Sequence, residues 1–216
     1  WHVYQQCKKS KLASKVVVLT DHEAIEKTVL DFGGAVLMTG SHHPTGTDRL
    51  GEALTMSLGF DNIINVQGDE PMIDPKLIDA LIAQLDQGCE IVTACHAIES
   101  EEDLFDYNVV KVVRDLQDHA LYFSRQAIPA HRDIPYRQWL EKSAYFRHLG
   151  VYGYKAKVLE QLVTMPPAPL EGAESLEQLR WLSNGYKIKC ITTNYQSIGV
   201  DKPEDILVVE ELMLLK

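Results

Sequence analysis

The sequence contains no apolar run long enough to cross a membrane. Its longest apolar stretches lie around residues 16–19 and 206–209, whereas a spanning helix needs roughly 20 apolar residues. No positively charged segment followed by an apolar core opens the chain, so the sequence predicts no secretion signal. We therefore expect a protein that works without a membrane partner.

Cysteine is scarce, and its spacing excludes two common uses. The four cysteines are Cys7, Cys89, Cys95 and Cys190. Their spacing is wide and irregular, and no two of them form a C-x-x-C pair. Such spacing fits neither a disulfide framework nor a zinc site. It favours reduced thiols and predicts a cytoplasmic protein.

Basic residues are outnumbered by acidic ones, 21 to 31, which gives a formal charge of −10. A nucleic-acid surface needs a basic face to neutralise phosphates, so we expect no nucleic-acid partner. The excess of acid is explained by solubility alone. An anionic ligand would need a local pocket or a metal ion.

Strands and helices alternate through the first hundred residues. Apolar and β-branched runs predict strands at residues 15–20, 35–38, 61–66 and 90–97, with amphipathic helices between them. This alternation predicts an α/β protein of three layers with a mixed, largely parallel central sheet. Ligands bind at the carboxyl ends of strands in such sheets, so a site is expected just after these strands.

The chain as a whole, residues 1–216, is predicted to be a single domain with an inserted region at approximately 109–155. Two strands are expected at residues 109–114 and 120–124, followed by a polar, aromatic-rich stretch and the run RHLGVYGY. We expect this region either to cover the site or to pair with a second subunit. A helix at residues 175–183, a strand at residues 187–193 and a final helix complete the chain.

The segment QGDEP follows the predicted strand at residues 61–66. Gly68 permits close approach of a ligand, Asp69 supplies an oxygen ligand at a strand end, and Pro71 fixes the exit of the chain. Mg²⁺ prefers such oxygens and completes its shell with water and substrate phosphates. Taken alone, the segment is more typical of a strand-to-helix turn in which Asp69 and Glu70 are solvated or capping residues.

A second carboxylate, Asp201 in SIGVDKPED, also follows a predicted strand and precedes a helix. Two such carboxylates favour a metal site. The alternative is that Asp201 only caps the helix that begins near Pro203.

The segment HHPTGTDR follows the strand at residues 35–38. Gly46 permits close approach, Thr45 and Thr47 offer hydroxyls, and Arg49 supplies a forked cation, so the segment indicates a loop that binds an anion or a base. Its adjacent histidines point apart and are not expected to share an ion. The alternative is a plain loop in which Thr47 caps the following helix.

Three later segments carry cations and phenols in apolar surroundings: YFSR, RHLGVYGY and ESLEQLRWL. Arg125, Arg147 and His148 need partners if they are buried, and a substrate carboxylate would serve. The alternative is a strand with core tyrosines, followed by an amphipathic helix on which Glu177 and Gln178 decorate the surface.

Taken together, NVQGDEP, HHPTGTDR, YFSRQAIP, RHLGVYGY, ESLEQLRWL and GVDKPED resemble the 3-deoxy-manno-octulosonate cytidylyltransferase family over essentially the whole chain. The resemblance implies a nucleotide-diphospho-sugar-transferase-like fold with a smaller dimerisation region. It implies that CTP and the eight-carbon acid sugar Kdo are coupled to CMP-Kdo and pyrophosphate for lipopolysaccharide assembly, with Mg²⁺ as cofactor and a homodimer as the assembly.

The resemblance also implies roles for individual residues. Asp69 and Asp201 would be catalytic metal ligands. The nucleotide would contact Gly46, Thr47, Arg49, Gln67 and Asp69, and the sugar acid would contact Gln67, Arg125, His148, Tyr152, Glu177 and Gln178. Two alternatives stay open: a related transferase acting on sialic acid or another sugar acid, and a non-catalytic dimeric remnant.

One departure from the family concerns the phosphate-binding segment I-P-A-R-x-x-S-x-R-x-P-G-K-P, whose cations hold the CTP phosphates. No such segment occurs within residues 1–216. Either it is missing from this sequence or the protein lacks it. We expect low or no activity from residues 1–216 alone and recovery when the segment is added.

Overall fold

The computed structural model describes residues 1–43, 45–56, 59–196, 198–200 and 202–214. The first half alternates helices and strands as follows: α1 (His2–Lys8), β1 (Val18–Thr20), α2 (Glu23–Asp31), β2 (Val36–Met38), α3 (Gly46–Thr55), β3 (Asn62–Asn65), α4 (Pro75–Asp86) and β4 (Ile91–Ala97). The second half contains α5 (Glu101–Phe105), β5 (Lys111–Arg114), β6 (Ala120–Ser124), a 3-10 turn (Tyr136–Gln138), α6 (Trp139–Lys142), β7 (Phe146–Lys155), α7 (Ala156–Leu162), α8 (Pro169–Glu174), α9 (Gln178–Ser183), β8 (Ile188–Thr192) and α10 (Pro203–Leu214).

The helices that follow the strand ends begin at side-chain caps. The Thr45 side chain accepts a hydrogen bond from the amide of Asp48 at the start of α3, and Asp74 accepts one from Lys76 at the start of α4. These bonds satisfy amide groups that a helix leaves unpaired in its first turn. The prediction that Thr47 caps α3 is wrong, because the helix already begins at Gly46.

Among the described residues, the central sheet has six strands. Five follow the order β6-β5-β7-β4-β8, and β3 pairs with the C-terminal part of β7, at residues 152–155. Strand β7 is antiparallel to β3, β4 and β5, whereas β4 and β8 are parallel. Consequently β3, β4, β5 and β8 run in one direction. Strands β1 and β2 form a separate parallel pair. The prediction of a mixed α/β fold is confirmed.

Strand β7 bends where it crosses β4. Its register changes between Thr93 and Ala94, so that Thr93 lies opposite Tyr152 and Ala94 opposite Leu149. The buried Thr93 hydroxyl contacts the carbonyl oxygens of Leu149 and Val151 at 3.2 and 2.8 Å. Such a bulge redirects side chains locally, and here it lies between His148 and Tyr152.

Two apolar clusters cover opposite faces of the sheet and give the predicted three layers. Val92 and Ala94 of β4 pack with the buried face of α4, whereas Ile91 and Cys95 pack with α7 and α9. All four thiols are free, and burial raises the pKa of Cys190 to about 12. In the part of the chain that the structure describes, no helix is long and apolar enough to span a membrane.

The strands of the region at approximately 109–155 belong to the central sheet. The connection between β6 and β7 packs a smaller cluster around Trp139 and Tyr145. The Tyr145 hydroxyl donates to the carbonyl of Pro129 at 2.7 Å, and the Trp139 indole donates to that of Ile134 at 3.0 Å. The role of this region in dimerisation stays a prediction.

Candidate functional site

The segment after β3 presents Gln67 and Asp69 to solvent. Its turn is closed by hydrogen bonds from the Glu70 amide to the Gln67 carbonyl and from the Ile73 amide to the Glu70 carbonyl. No described residue donates a hydrogen bond to the Asp69 carboxylate. Asp69 therefore lies at a strand end with its oxygens available to a ligand.

Asp201, the second predicted metal ligand, lies outside the described residues. The residues just before it are described. The Val200 amide donates to the Asp69 carbonyl at 2.9 Å, and a Cβ at Gly199 would lie 3.7 Å from that same oxygen. The described chain leading to position 201 therefore runs beside Asp69. The described residues hold no cluster of three or more His, Cys, Asp or Glu able to bind a metal. One or two carboxylates suffice for Mg²⁺, because water and phosphate complete its shell.

Gly46 brings the HHPTGTDR segment against the end of β3. A Cβ at this position would lie 3.6 Å from the side-chain nitrogen Nδ2 of Asn65 and 3.9 Å from the side-chain nitrogen Nε2 of Gln67. A Cβ at Gly150 of β7 would lie 3.9 Å from Cγ of Gln67. Gln67 thus lies between two glycines from separate motifs. Its contact with sugar and nucleotide stays a prediction.

Arg49 is engaged within the protein. Its guanidinium pairs with Asp21 at 3.2 Å and donates to the Thr39 hydroxyl at 2.5 Å, and the hydrogen bond from Arg49 holds the pKa of Asp21 below its usual value. Arg49 therefore connects α3 to the ends of β1 and β2. Its contact with a nucleotide stays a prediction.

The two histidines of HHPTGTDR have different surroundings. The Nε2 atom of His43 contacts the Glu52 carboxylate, which also accepts a hydrogen bond from the Gly40 amide at 2.8 Å. The His42 ring packs on that of His43, with centroids 4.2 Å apart, so the expectation that these two side chains point apart is wrong. These contacts hold the two histidines against each other and against Glu52 of α3.

Glu177 connects the HHPTGTDR segment to α9. Its carboxylate accepts hydrogen bonds from the hydroxyls of Thr45 at 2.8 Å and Thr47 at 2.7 Å, about 130 positions earlier in the chain. Burial raises the pKa of Glu177, and the threonine hydrogen bonds oppose that shift. Gln178 is only 6% exposed. The interpretation of Glu177 and Gln178 as exposed surface residues is therefore wrong.

His148 and Tyr152 of β7 lie side by side, with ring centroids 5.3 Å apart. The Nε2 atom of His148 contacts the Thr93 hydroxyl at 3.0 Å, and burial lowers the pKa of His148 to about 3. His148 is therefore neutral at physiological pH and cannot be the cation that meets a carboxylate. The Tyr152 hydroxyl is buried and finds no hydrogen-bond partner among the described residues, which favours a ligand there.

Arg125 follows β6 and contacts the turn before Glu177. Its side chain donates to the carbonyls of Glu174 at 2.8 Å, Tyr107 at 3.0 Å and Ser175 at 3.4 Å. These bonds leave it partly exposed, so a role toward a substrate carboxylate stays a prediction.

Sequence reasoning missed Lys111, which is fully buried. Its ammonium group donates to the carbonyls of Asp106 at 2.8 Å and of Val109 and Arg125 at 2.6 Å, and burial lowers its pKa. A lysine inside an apolar strand pattern is the only sequence signal that such a residue offers.

Comparison with known proteins identifies relatives over almost the whole chain. Residues 1–188 match the family model described as Cytidylyltransferase. A "3-deoxy-manno-octulosonate cytidylyltransferase" of Thermodesulfovibrio yellowstonii is 44% identical over 98% of this chain and 86% of the relative. One of the same name from Geotalea daltonii is 45% identical over 95% of this chain and 83% of the relative.

Solved structures give the same result. A CMP:2-keto-3-deoxy-manno-octonic acid synthetase complexed with CTP superposes with a TM-score of 0.91 at 38% identity, covering 99% of this chain and 86% of the other. A 4-diphosphocytidyl-2C-methyl-D-erythritol synthase has a TM-score of 0.64 at 12% identity over 98% of this chain and 86% of its own. The second likeness concerns the fold alone.

Proposed function

Because the chain belongs to the 3-deoxy-manno-octulosonate cytidylyltransferase family, we propose that it couples CTP to Kdo and forms CMP-Kdo and pyrophosphate. The observation that carries this proposal is the pair of hydrogen bonds from Thr45 and Thr47 to Glu177. They join the predicted nucleotide segment to the predicted sugar-acid segment at one end of the sheet. Two substrates bound there would lie next to each other.

The reaction breaks one bond and forms another at the α-phosphorus of CTP. The anomeric hydroxyl oxygen of Kdo attacks that phosphorus, pyrophosphate leaves, and the hydroxyl proton passes to solvent. A Mg²⁺ ion held by Asp69 and Asp201 would neutralise developing charge and make the hydroxyl more acidic. The side chains of the protein mainly position the two substrates, and positioning is a large part of such catalysis.

On the nucleotide side, we propose that Gly46, Thr47, Arg49 and Gln67 form the binding surface. Gly46 has no side chain between the backbone and Gln67, so a flat base can approach closely. Arg49 contributes positive charge while its pairing with Asp21 fixes its position.

On the sugar-acid side, we propose contacts with Gln67, Arg125, His148, Tyr152, Glu177 and Gln178. Arg125 supplies the cation for the Kdo carboxylate, since His148 is neutral. Tyr152 offers a buried hydroxyl without a described partner. Neutral and acceptor groups around a single cation suit a sugar that carries many hydroxyls and one carboxylate.

The proposal extends to assembly and location. We propose a cytoplasmic homodimer that pairs through the region at approximately 109–155, where Tyr136 and Leu121 are 68% and 62% exposed. Large exposed apolar groups on one region favour an interface. Light scattering should give twice the mass of the chain, and Leu121→Lys should reduce it to that of a monomer.

The experiment that tests the activity compares the protein with Asp69→Asn. With protein in excess over Kdo, so that slow turnover is detected, we expect pyrophosphate release to need Mg²⁺ and to fall at least about 100-fold in the variant. Near-normal release by Asp69→Asn would contradict the metal assignment. Circular dichroism of the variant serves as the control for folding.

A further inference from the structure

A hydrogen bond connects the segment after β3 to the segment after β8. The Tyr195 hydroxyl donates to the Oε2 atom of Glu70 at 2.9 Å, across 125 positions of sequence. Glu70 directly follows Asp69, and the Tyr195 segment leads to Asp201. The bond therefore joins the two segments that carry the proposed metal ligands.

A second link lies a few residues further along. The Val200 amide donates to the Asp69 carbonyl at 2.9 Å. Residues 69–70 and 195–200 are thus joined at both ends, once by side chains and once by the backbone. Two links restrict the relative position of the segments more than one link does.

Tyr195 is itself anchored to the central sheet. Its amide donates to the Thr193 hydroxyl at 3.0 Å, and the Thr193 amide donates to the Cys95 carbonyl at 2.9 Å, which continues the pairing of β8 with β4. The Tyr195 ring packs beside the cluster that includes Ile73 and Leu149. A small cavity of about 10 Å³ lies between this ring and Gln67.

We propose that Tyr195 is a positioning residue that, through Glu70, fixes the Asp69 carboxylate relative to the chain entering Asp201. The inference rests on the proposed function, because it needs Asp69 to be a metal ligand. Groups that hydrogen-bond a metal ligand directly typically cost 10–100-fold in metal affinity when they are lost. Tyr195 acts one residue away from the ligand, through Glu70, so we expect a loss at the lower end of that range.

The test uses Tyr195→Phe, which removes only the hydroxyl. We expect the Kd for Mn²⁺, measured by electron paramagnetic resonance without substrates, to rise about 10-fold. We also expect amide hydrogen exchange at Val200 to become faster. The matched control is Tyr186→Phe, whose hydroxyl donates to Gln161 at 2.7 Å away from these segments, and it should change neither measurement.

A second pair of variants shows whether the effect passes through Glu70. In a Glu70→Ala background, Tyr195→Phe should weaken Mn²⁺ binding no further, whereas Glu70→Gln, which keeps an acceptor oxygen, should retain most of the affinity. If Tyr195→Phe and Glu70→Ala weaken Mn²⁺ binding independently, so that their effects on the binding free energy add, the proposal is overturned.

The outcomes separate this inference from the proposed function. Absence of Mn²⁺ binding by the unaltered protein would refute the metal assignment itself, and the inference with it. Binding that is equal in the unaltered protein and in Tyr195→Phe would overturn the inference alone. Faster exchange at Val200 with unchanged Mn²⁺ affinity would also overturn it, because the bond would then be purely structural.

Discussion

The two sides of the candidate site differ in how their polar groups are held. The β7–α9 side, formed by His148, Tyr152, Glu177 and Gln178, is largely buried, and its His148 and Glu177 side chains contact the hydroxyls of Thr93 and Thr47. The β3-loop side, formed by residues 67–70 and 198–200, exposes Gln67 and Asp69 and is held by two links to the segment after β8. The first side lies within the packed protein, with the Tyr152 hydroxyl left without a described partner. The second side leaves its ligand oxygens exposed to solvent.

This difference follows from what each side is proposed to bind. A sugar acid must be distinguished from similar acids, and buried, fixed groups provide that selectivity because a wrong ligand leaves them unpaired. A hydrated metal and a triphosphate carry their own water and charge, so they need few protein groups. Changes on the buried side should therefore affect stability, and changes on the exposed side should affect binding alone.

The largest effect is expected where an ion pair supports the buried side. Arg180 of α9 is 7% exposed and donates to Glu171 at 2.8 and 2.5 Å. Glu171→Ala should lower the free energy of unfolding by about 3–5 kcal/mol, because it leaves a buried cation unpaired. Urea denaturation measures the loss.

The control for this change is Glu160→Ala, an exposed glutamate on α7 that should have little effect. The hydrogen bond from Arg180 lowers the pKa of Glu171 from its usual 4.5. Its stabilisation is therefore present above pH 4.5 and is lost as pH falls through the lower native value. A loss that stays constant well below pH 4.5 would contradict the account.

A smaller, pH-dependent effect is expected from His148. Its pKa is about 3 in the folded protein against 6.5 ordinarily, so the unfolded chain binds one more proton between these values. Stability should therefore fall as pH drops below 6.5, by about 2 kcal/mol at pH 5.

His148→Gln lacks this titrating group. Between pH 7 and pH 5, its free energy of unfolding should therefore fall by about 2 kcal/mol less than that of the unaltered protein. Urea denaturation of both proteins at the two pH values measures the difference. Identical pH dependences would show that His148 is not held neutral.

The contact between α3 and the β7–α9 side should be worth somewhat less. Thr47→Val removes one donor to Glu177 and should lower the free energy of unfolding by about 1.5 kcal/mol. It should also raise the KM for both substrates, since one of the two hydrogen bonds between the segments is lost. Thr55→Val, at the exposed end of the same helix, is the control, and an equal effect in both variants would argue against a special contact.

The smallest effect on stability is expected on the exposed side. Asp69→Asn should change the free energy of unfolding by no more than about 0.5 kcal/mol, as for ordinary surface positions. The same variant is expected to suppress transfer. A large loss of stability would show that the exposed side is part of the folded framework, and the comparison of the two sides would fail.

Sequence alone predicts much of this arrangement, because strand ends and glycines have local signatures. The predicted strand at residues 120–124 has the bounds of β6, and Gln67 and Asp69 closely follow the end of β3 as expected. The helix expected from Ser175 instead begins at Gln178, since Ser175 adopts φ 52° and ends α8. A serine gives no local signal for that conformation.

Long-range partners have no such signature. The bond between Glu177 and Thr47, the one between Tyr195 and Glu70, and the carbonyls around Lys111 depend on how β3, β7 and β8 are ordered in the sheet. Strand β7 lies between β3 and β4 although it follows both in sequence. Periodicity identifies strands but not their neighbours.

The most direct test of the central claim is a competition between two sugar acids. The protein, in excess, is incubated with CTP, Mg²⁺ and equal concentrations of Kdo and sialic acid, and the products are identified by mass spectrometry. We predict CMP-Kdo, with CMP-sialate at less than about 1% of it, a selectivity that fixed polar groups can provide. Predominant CMP-sialate, or equal amounts of the two products, would contradict the account.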